Sequence, residues 1–331
     1  MSDLSIATEE LVQRTFVYEV GLREPILAML MTEGKVSSRG GTYITYDLVK
    51  DDAKDEAQAY AAGEGLTVAQ SEFLDQAKFK YKYVQMPIRY NVDDEIQNHL
   101  ATSEVKRHDL VTLITERAQD GLRRHLTVRL HTASSTDAGK YVQSIYDACD
   151  HSRTYGTVTS STTAKTWWNG ASLAGTWADR DTAMTVELNN LRTIGYIVDR
   201  YVAPGQKKYC FLPEGLHSKV RGILEGKVSY QMGTADNSKM AKFGFKSFMY
   251  DGVEYIADSY MTLNSQTDYL LMLNPDTWEL RLHPSAAFKV TPFFDQSQVA
   301  GGADEKVARI KFAGNVCCKK PNANFWNSTA T

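Results

Sequence analysis

The longest regular pattern of the chain lies at residues 103–131, SEVKRHDLVTLITERAQDGLRRHLTVRLH. Apolar side chains recur in it every four positions. They are Leu110, Ile114, Ala118, Leu122, Leu126 and Leu130, with Leu113 beside them. This spacing places one apolar stripe along an α-helix, and Ser103 is a suitable N-cap. At about 1.5 Å per residue the helix would be roughly 40 Å long. The sequence therefore predicts one long amphipathic helix.

Two alternating segments precede this helix, at residues 41–50 and 78–83. One face of the first segment carries Ile44, Tyr46 and Leu48. In the second segment one face carries Lys78, Lys80 and Lys82, and the other carries Phe79, Tyr81 and Tyr83. Such alternation is typical of strands with one face in water. Residues 51–75 between them hold seven acids and one base. We therefore predict a long two-stranded ribbon with an acidic far end, which needs a supporting neighbour because two strands alone are marginal in water.

The sequence of the remaining chain predicts a mixture of helices and strands. The first 40 residues resemble an arm without a clean period, in which Pro25 opens a short helix and Gly34 closes it. Residues 134–178, rich in Ser, Thr and Gly, predict ordered irregular structure. The expected elements after them are a helix over Asp181–Thr193 stopped by Gly195, strands at Tyr196–Val202 and Lys208–Leu212, a helix from Pro213 to near Gly226, and a flexible loop over 227–247.

Turn residues then indicate two hairpins. Asp251-Gly252 is a strong signal for a type I′ turn between two strands. Asn274-Pro275-Asp276-Thr277 is expected to join strands at Tyr269–Leu273 and Trp278–Leu282. Strands near Ala286–Phe293 and Val307–Phe312 end the fold. Helices and strands are partly segregated and most strands join by hairpins, which favours the α+β class.

The composition excludes several classes of protein. Of 331 residues, 43% are hydrophobic and the formal net charge is −3, so nucleic acid would have to bind at a local patch. No apolar run approaches the roughly 18 residues that cross a membrane, and the N-terminus lacks the pattern of a signal peptide. The four cysteines, expected to be reduced thiols in a cytosol, are Cys149, Cys210, Cys317 and Cys318.

The chain carries no recognisable catalytic motif. It lacks a GxSxG elbow, a P-loop, a GxGxxG fingerprint and an HExxH pair. Glu214 and His217 form half of a di-iron pattern whose other half is missing, and the start of a helix explains them as well. The seven histidines show no metal-ligand spacing, and the acidic segment lacks that of a calcium loop. We therefore predict no catalytic residue, no metal, no cofactor and no enzyme activity.

Two groups of charges are candidates for contacts. The first is a cluster in the second half of the long helix, Arg117, Arg123, Arg124 and Arg129. These arginines form either a solvated surface or a face toward a polyanion. The second is the acidic segment, which forms either a solvated loop or a contact with a basic neighbour. The lysine row of the ribbon is usually a solvent face, and it discourages edge-to-edge aggregation.

The order of these parts resembles the major capsid protein of tailed bacteriophages, the Hong Kong 97-type capsid fold, over essentially the whole chain. An arm, an extended two-stranded loop and a long spine helix come first, followed by Tyr155-Gly156 and Trp168. The run Gly195–Asp199 is similar to the start of the family's axial domain. Further matches are Phe245, Phe248, Gly252, Val253, Ile256 and Asp258 of a late hairpin, then Leu271–Asn274, then Ala313–Val316 before a tail with Lys and Pro.

The resemblance implies an α+β subunit with four parts. They are an N-terminal arm at 1–40, an extended β-ribbon loop at 41–92, a peripheral domain at 93–185 and 266–331 with the spine helix 103–131, and an axial domain at 186–265. The implied role is structural: hexamers and pentamers of one chain form an icosahedral head around double-stranded DNA. Assembly takes place in the host cytoplasm, and the chain ends in the virion capsid.

The implied partners are further copies of the chain, a scaffolding protein, a portal, a decoration protein and non-specifically held DNA, with no membrane. We expect contacts between subunits at Asp51, Asp52, Asp55, Glu56, Lys78, Lys80 and Lys82. We expect Arg117, Arg123, Arg124 and Arg129 to face the interior and the DNA.

Two alternatives remain open. An encapsulin-type nanocompartment shell shares this fold and stores an enzyme cargo. A β-rich binding module or hydrolase would instead use an aromatic cleft lined by Trp167, Trp168, Trp177 and Trp326. Aromatic pairs more often fill a core or a subunit interface.

Overall fold

The computed structural model describes residues 24–49, 59–64, 74–93, 104–132, 139–150, 154–159, 167–171, 184–225, 246–266, 269–296 and 304–327. Its helices are α1 (Pro25–Thr32), α2 (Glu104–Leu130), α3 (Ile145–Cys149), α4 (Met184–Asp199), α5 (Glu214–Glu225) and α6 (Ser259–Leu263). Its strands are β1 (Lys35–Ser38), β2 (Tyr43–Val49), β3 (Leu74–Lys80), β4 (Lys82–Asn91), β5 (Thr154–Tyr155), β6 (Val158–Thr159), β7 (Tyr209–Pro213), β8 (Ser247–Tyr250), β9 (Val253–Asp258), β10 (Leu270–Leu273), β11 (Trp278–Leu282), β12 (Lys289–Val290), β13 (Phe294–Asp295), β14 (Glu305–Cys318) and β15 (Phe325–Asn327).

The largest sheet among the described residues is built around β14, which is 14 residues long. On one side β14 pairs antiparallel with β11, β12 and β13 in turn, and on the other side it pairs with β4. Strand β1 adds a parallel partner to β11. The sequence predicted only Val307–Phe312 of β14, because the alternation disappears from Ala313 onward, where both faces of the strand are buried.

Helix α2 packs against β4 and confirms the predicted long helix. Its buried stripe consists of Ala118, Leu122, Leu126 and Leu130. A Cβ on Gly121 would lie 2.7 Å from the end of the Met86 side chain, so this flexible side chain would have to shift. Leu113, which was expected beside the stripe, is 65% exposed.

A second sheet has the strand order β15-β10-β7-β9-β8 within the described part of the chain. Both of its faces are buried. Tyr209 and Phe211 of β7 belong to the core around α2, whereas Cys210 and Leu212 belong to a second core with α4 and α5. This second core also takes residues from beyond position 265, where the axial domain was expected to end. They are Leu270, Met272 and Phe325.

The hairpin at Asp251-Gly252 is confirmed. Strands β8 and β9 pair antiparallel, with Tyr250 opposite Val253 next to the turn. Asp251 and Gly252 have φ angles of 50° and 74°, which are the two positive values that a type I′ turn requires.

The predicted helix stop at Gly195 and the predicted strand at Tyr196–Val202 are wrong, because α4 continues to Asp199. Leu191, Ile194 and Val198 are buried at helical spacing. Their packing outweighs the roughly 1 kcal/mol by which glycine disfavours a helix. Nothing lies within 4 Å of the position that a Cβ on Gly195 would take.

The second expected hairpin is also wrong, because β10 and β11 lie in different sheets. A short 3-10 turn, Pro275–Thr277, carries the chain from one sheet to the other. The Asn274 side chain accepts a hydrogen bond from the Asp276 N–H at 3.1 Å, and the Asn274 N–H donates to the Asn324 side chain at 2.9 Å. The buried side chains of Asn274 and Asn324 hold this connection in place. The turn residues alone do not distinguish such a connection from a hairpin.

Cys149, Cys210, Cys317 and Cys318 are all buried and free, in agreement with the expected reduced thiols. Within the described ranges, no helix combines the length and the apolar character needed to cross a membrane. Residues 1–23 of the expected arm and residues 227–245 of the expected loop lie outside the described residues, and Ser247, expected in the loop, begins β8.

We expect Gly195→Ala to stabilise the protein by up to about 1 kcal/mol, because alanine favours the helix and meets open space. Thermal unfolding of the purified chain measures this as a higher Tm. Gly205→Ala is the contrasting variant: Gly205 has φ +86°, so a side chain there is strained and should lower the Tm. A lower Tm for Gly195→Ala would contradict a helical Gly195.

Candidate interaction surface

Strands β2 and β3 form the predicted two-stranded ribbon. Tyr43 pairs with Lys80 at its root, and Val49 pairs with Leu74 at its far end. With seven residues in each strand, the ribbon is about 23 Å long. Its two faces have different surroundings.

The inner face of the ribbon packs on the hairpin β5–β6 of the same chain. The Phe79 and Tyr155 rings meet edge to face with centroids 4.9 Å apart, and the Lys78 N–H donates to the Gly156 carbonyl at 2.7 Å. A Cβ on Gly156 would lie 2.4 Å from the Phe79 ring, so this approach requires glycine. The sequence predicted that the ribbon needs a supporting neighbour. At the root of the ribbon, this support comes from the same chain.

The outer face of the ribbon is polar in the middle and apolar at the far end. Asp47 and Gln76 lie opposite each other and are joined by a hydrogen bond of 2.9 Å. At the end, Val49 is 67% exposed and Leu74 is 59% exposed. The ribbon thus presents a cross-strand apolar pair to water next to the acidic segment.

A buried carboxylate attaches the ribbon to the main sheet. Glu279 of β11 is 1% exposed, and one of its oxygens accepts a hydrogen bond from the Tyr46 hydroxyl at 3.0 Å. The Ser37 hydroxyl donates to the other oxygen. Lys319 and Arg281 form ion pairs with Glu279 at 2.5 Å and 2.7 Å. One charge thus connects β1, β2, β11 and the residue after β14.

The partners of Glu279 determine its protonation. Burial alone would raise the pKa of Glu279, but hydrogen bonds from Lys319, Ser37 and Tyr46 outweigh burial and lower the pKa to about 2. The carboxylate is therefore ionised in the folded chain. Sequence reasoning missed this residue. The only local signal was the pair of charges, Glu279 and Arg281, at alternate positions of an otherwise apolar strand.

A second buried group of titratable side chains lies where α1, α2 and the end of β9 meet. His131 Nε2 is 3.6 Å from Asp258 Oδ2, and both side chains are buried. Burial lowers the pKa of His131 to about 4 and raises that of Asp258 to about 6. Burial also raises the pKa of Glu24, and the charge of Asp258 adds to that shift. These shifts favour the neutral forms at this junction.

The lysine row is only partly as predicted. Lys78 and Lys80 are exposed on the outer face of the ribbon, but Lys82 is half-buried and donates to the Gly139 carbonyl. Tyr83, expected on the apolar face, is 75% exposed. The alternation reverses at Tyr81 because the chain leaves the ribbon there and joins the main sheet. The expected placement of Tyr83 is therefore wrong.

The four arginines of α2 have different surroundings. Arg117 and Arg124 are exposed, whereas Arg123 is buried and forms an ion pair with Asp120. The Arg129 guanidinium lies 3.3 Å from the centre of the Tyr141 ring. The acids Asp51, Asp52, Asp55 and Glu56 lie outside the described residues.

The described tryptophans of the expected aromatic cleft, Trp167, Trp168 and Trp326, pack against other aromatic rings. Trp168 is buried, and its indole N–H donates to the Tyr155 carbonyl at 3.0 Å. Trp167 contacts Trp168, and Trp326 contacts Tyr146 at 5.1 Å between ring centroids. Trp177 lies outside the described residues. The described residues contain no group of three His, Cys, Asp or Glu side chains arranged to hold a metal ion.

Replacing Glu279 with glutamine should lower the free energy of unfolding at pH 7 by about 3 kcal/mol, because Lys319 and Arg281 lose their buried counter-charge. The pKa of Glu279 is lowered from 4.5 to about 2, so its stabilisation is present above pH 4.5 and is lost as the pH falls toward 2. Urea unfolding at pH 7 and pH 3 should show the two proteins converging in acid. Asp47→Asn, on the exposed face of the same ribbon, is the control, and an equal loss in both variants would contradict the prediction.

Replacing Asp258 with asparagine should raise the Tm at pH 7.5 and change it little at pH 4. Because the folded pKa is raised from 3.8 to about 6, this carboxyl contributes stability below pH 3.8 that is lost as the pH rises through about 6. Asparagine keeps an oxygen for the Tyr260 N–H, which donates to Asp258 at 2.8 Å, without the buried charge. A Tm difference that does not grow with pH would contradict this account.

Comparison with known proteins gives a match in fold only. No protein-family model and no curated protein sequence matches the chain. A chain of the capsid asymmetric unit of cyanophage A-1(L) is similar with a TM-score of 0.60 and 16% identity, over 92% of this chain and 92% of that one. A chain of Mycobacterium phage Adephagia has a TM-score of 0.55 at 11% identity, over 91% of this chain and 88% of that one. A chain from the capsid of the empty GTA particle has a TM-score of 0.53 at 11% identity, over 91% and 96%.

These likenesses cover 91–92% of this chain and 88–96% of the other chains. The chain therefore has the α+β fold of phage major capsid proteins, the Hong Kong 97-type capsid fold.

Proposed function

We propose that this chain is the major capsid protein of a tailed bacteriophage. It assembles as hexamers and pentamers into an icosahedral head around double-stranded DNA. Its role is structural and not enzymatic, it assembles in the host cytoplasm, and it ends in the virion capsid. The fold supports this proposal, since structures of the same fold come from the capsids of a cyanophage and a GTA particle.

The observation that carries the proposal is the far end of the ribbon. Val49 and Leu74 lie opposite each other and are both more than half exposed, although the root of the same ribbon is fixed by buried contacts. Exposed apolar pairs at the end of a fixed projection are typical of contact surfaces. A neighbouring copy of the chain would bury them.

The proposal assigns the other partners as well. A scaffolding protein and a portal would direct assembly, and a decoration protein would bind the finished shell. The packaged DNA brings its own counterions, so a nearly neutral chain does not have to neutralise it. Arg117 and Arg124 are the exposed arginines of α2 and are proposed to face this DNA.

The contacts between copies are proposed to involve the acidic segment and the ribbon. Asp51, Asp52, Asp55 and Glu56 would contact basic residues of an adjacent copy. Lys78 and Lys80, exposed on the outer face of the ribbon, would contact acids of a neighbour. Lys82, which already donates to Gly139 within its own chain, is available only in part.

The test is electron microscopy of the purified chain across a salt series, with and without the candidate scaffold. Closed shells, or rings of five and six subunits, are expected. In the variant Val49→Ser with Leu74→Ser, assembly should be lost while the Tm of the dissociated chain stays unchanged, because both side chains are exposed. Leu113→Ser, at a comparably exposed leucine of α2, is the matched control and should assemble.

A chain that remains monomeric at every concentration, even with scaffold, would contradict the proposed function. Normal assembly of the double serine variant would show that the far end of the ribbon is not a contact surface. A closed shell that purifies around an enzyme cargo would favour the nanocompartment.

A further inference from the structure

The start of α1 is attached to the body of the chain through buried polar groups with unused bonding capacity. Glu24, the residue before α1, is 6% exposed, and its Oε2 accepts no hydrogen bond from the residues that the structure describes. Among the same residues, Thr127 Oγ1 of α2 and Asp258 Oδ2 of β9 also lack a hydrogen-bond partner, and both side chains are buried. Buried oxygens are normally hydrogen-bonded, so this junction closes at a cost that apolar packing does not carry.

The rest of α1 is fixed by apolar packing. Ile26, Met29 and Leu30 are almost completely buried. The Glu24 carbonyl accepts a hydrogen bond from the Ala28 N–H at 2.8 Å, which closes the first turn of the helix. A change at the junction can therefore release Glu24 and this first turn while the remainder of α1 stays in the core.

The charges that face Glu24 come from α2 and β9. Arg123 and Arg124 favour the ionised carboxylate, but Arg123 is paired with Asp120 and Arg124 is exposed to water. Asp258 opposes ionisation with a second negative charge. Burial has the largest influence, and it raises the pKa of Glu24 above its ordinary value of 4.5. The closed junction therefore favours the neutral acid.

His131 and Asp258 hold the same number of protons whether they are buried or open to water. His131 Nε2 lies 3.6 Å from Asp258 Oδ2, which is too far for a hydrogen bond. Burial gives His131 a pKa of about 4 and Asp258 a pKa of about 6, against ordinary values of 6.5 and 3.8. Between about pH 4 and 6 the pair holds one proton, on Asp258 when it is buried and on His131 when it is open. Glu24 is therefore the group that makes opening depend on pH.

The other titratable neighbours do not change this balance. The rings of Tyr146 and Tyr260 lie beside His131, and burial raises the pKa of both hydroxyl groups. Glu214 of α5 adds a negative charge near Asp258, which disfavours further ionisation of the junction.

We propose that this junction is a proton-operated latch for the start of α1. While Glu24 holds a proton, its carboxyl group stays buried between α2 and β9 and the first turn is closed. Loss of the proton leaves a buried charge beside Asp258, so Glu24 moves into water and releases the point at which residues 1–23 join the body. The latch operates within one chain and does not depend on whether the chain forms a shell.

Opening of the latch releases one proton from Glu24. In the open form the carboxyl has its ordinary pKa of 4.5, so its stabilisation of the closed form is complete below pH 4.5 and is lost as the pH rises through the raised pKa. Each pH unit in this window makes opening up to about tenfold more frequent. Above the window, Glu24 is ionised in both forms and the effect levels off.

Hydrogen–deuterium exchange of the purified full-length chain between pH 4.5 and 8 tests the latch. The Ala28 amide reports opening of the first turn, because it donates to the Glu24 carbonyl. Its protection, corrected for the chemical exchange rate at each pH, should fall severalfold as the pH rises, by up to about tenfold per unit. Strand β10, which is completely buried, is the internal reference and should not follow this fall.

Two variants without a titrating group at position 24 separate the latch from other effects of pH. Glu24→Gln keeps an oxygen at the junction, and Glu24→Met fills it with an apolar side chain of similar length, so that at least one of them is expected to fold. In either variant the protection of Ala28 should be independent of pH. Glu116→Gln, at an exposed glutamate of α2, is the matched control and should behave like the wild type.

Three results would overturn the inference. If the protection of Ala28 in the wild type does not change with pH, Glu24 does not act as a latch. An equal fall in the wild type and in the variants at position 24 would assign the pH dependence to another group. A fall that β10 shares would show that the whole chain loosens and that the first turn does not open locally.

Discussion

The buried charge of Glu279 is the contact on which the ribbon depends. Its carboxylate accepts hydrogen bonds from Ser37, which lies 242 positions away in the sequence, and from Tyr46 of the ribbon. Lys319 and Arg281 compensate the charge. A two-stranded ribbon does not sustain itself in water, so its root has to be held by the rest of the chain. Glu279 supplies a polar attachment through Tyr46 of β2, and the packing of Phe79 of β3 against Tyr155 supplies an apolar attachment on the same inner face.

Because the root of the ribbon is fixed within the chain, burial of its far end depends on other molecules. The inner positions Ile44 and Leu48 are buried in the body of the subunit. The outer pair, Val49 and Leu74, remains in water. Because the root defines where the ribbon leaves the body, the proposed assembly would supply the free energy of burying this pair. In that proposal the single chain is an incomplete unit.

Local patterns allowed prediction of the elements that depend on local physics. The period of four revealed α2, strict alternation revealed the ribbon, and the positive φ preference of Asp251-Gly252 revealed the turn between β8 and β9. The errors concern long-range packing. Gly195 carries a stop signal that the burial of Ile194 and Val198 overrides, and the turn at Asn274 connects two sheets through a buried amide of Asn324. The role of Glu279 was hidden because its partners Ser37, Tyr46 and Lys319 are scattered along the chain and only the fold brings them together.

The charge distribution shows how copies of the chain can associate in a defined arrangement. A net charge of −3 conceals local groups of like charge: residues 51–75 hold seven acids and one base, and Arg89, Lys289, Arg309 and Lys311 are exposed on one face of the main sheet. At physiological salt the screening length is about 8 Å, so these charges act only when two surfaces are nearly in contact. In the proposed shell they would select the register of a contact without driving indiscriminate association. Burial of the exposed pair Val49 and Leu74 would add a contribution that salt does not screen. In that shell, contacts that are individually weak would be able to dissociate and correct errors, and the summed apolar burial would make the finished arrangement durable.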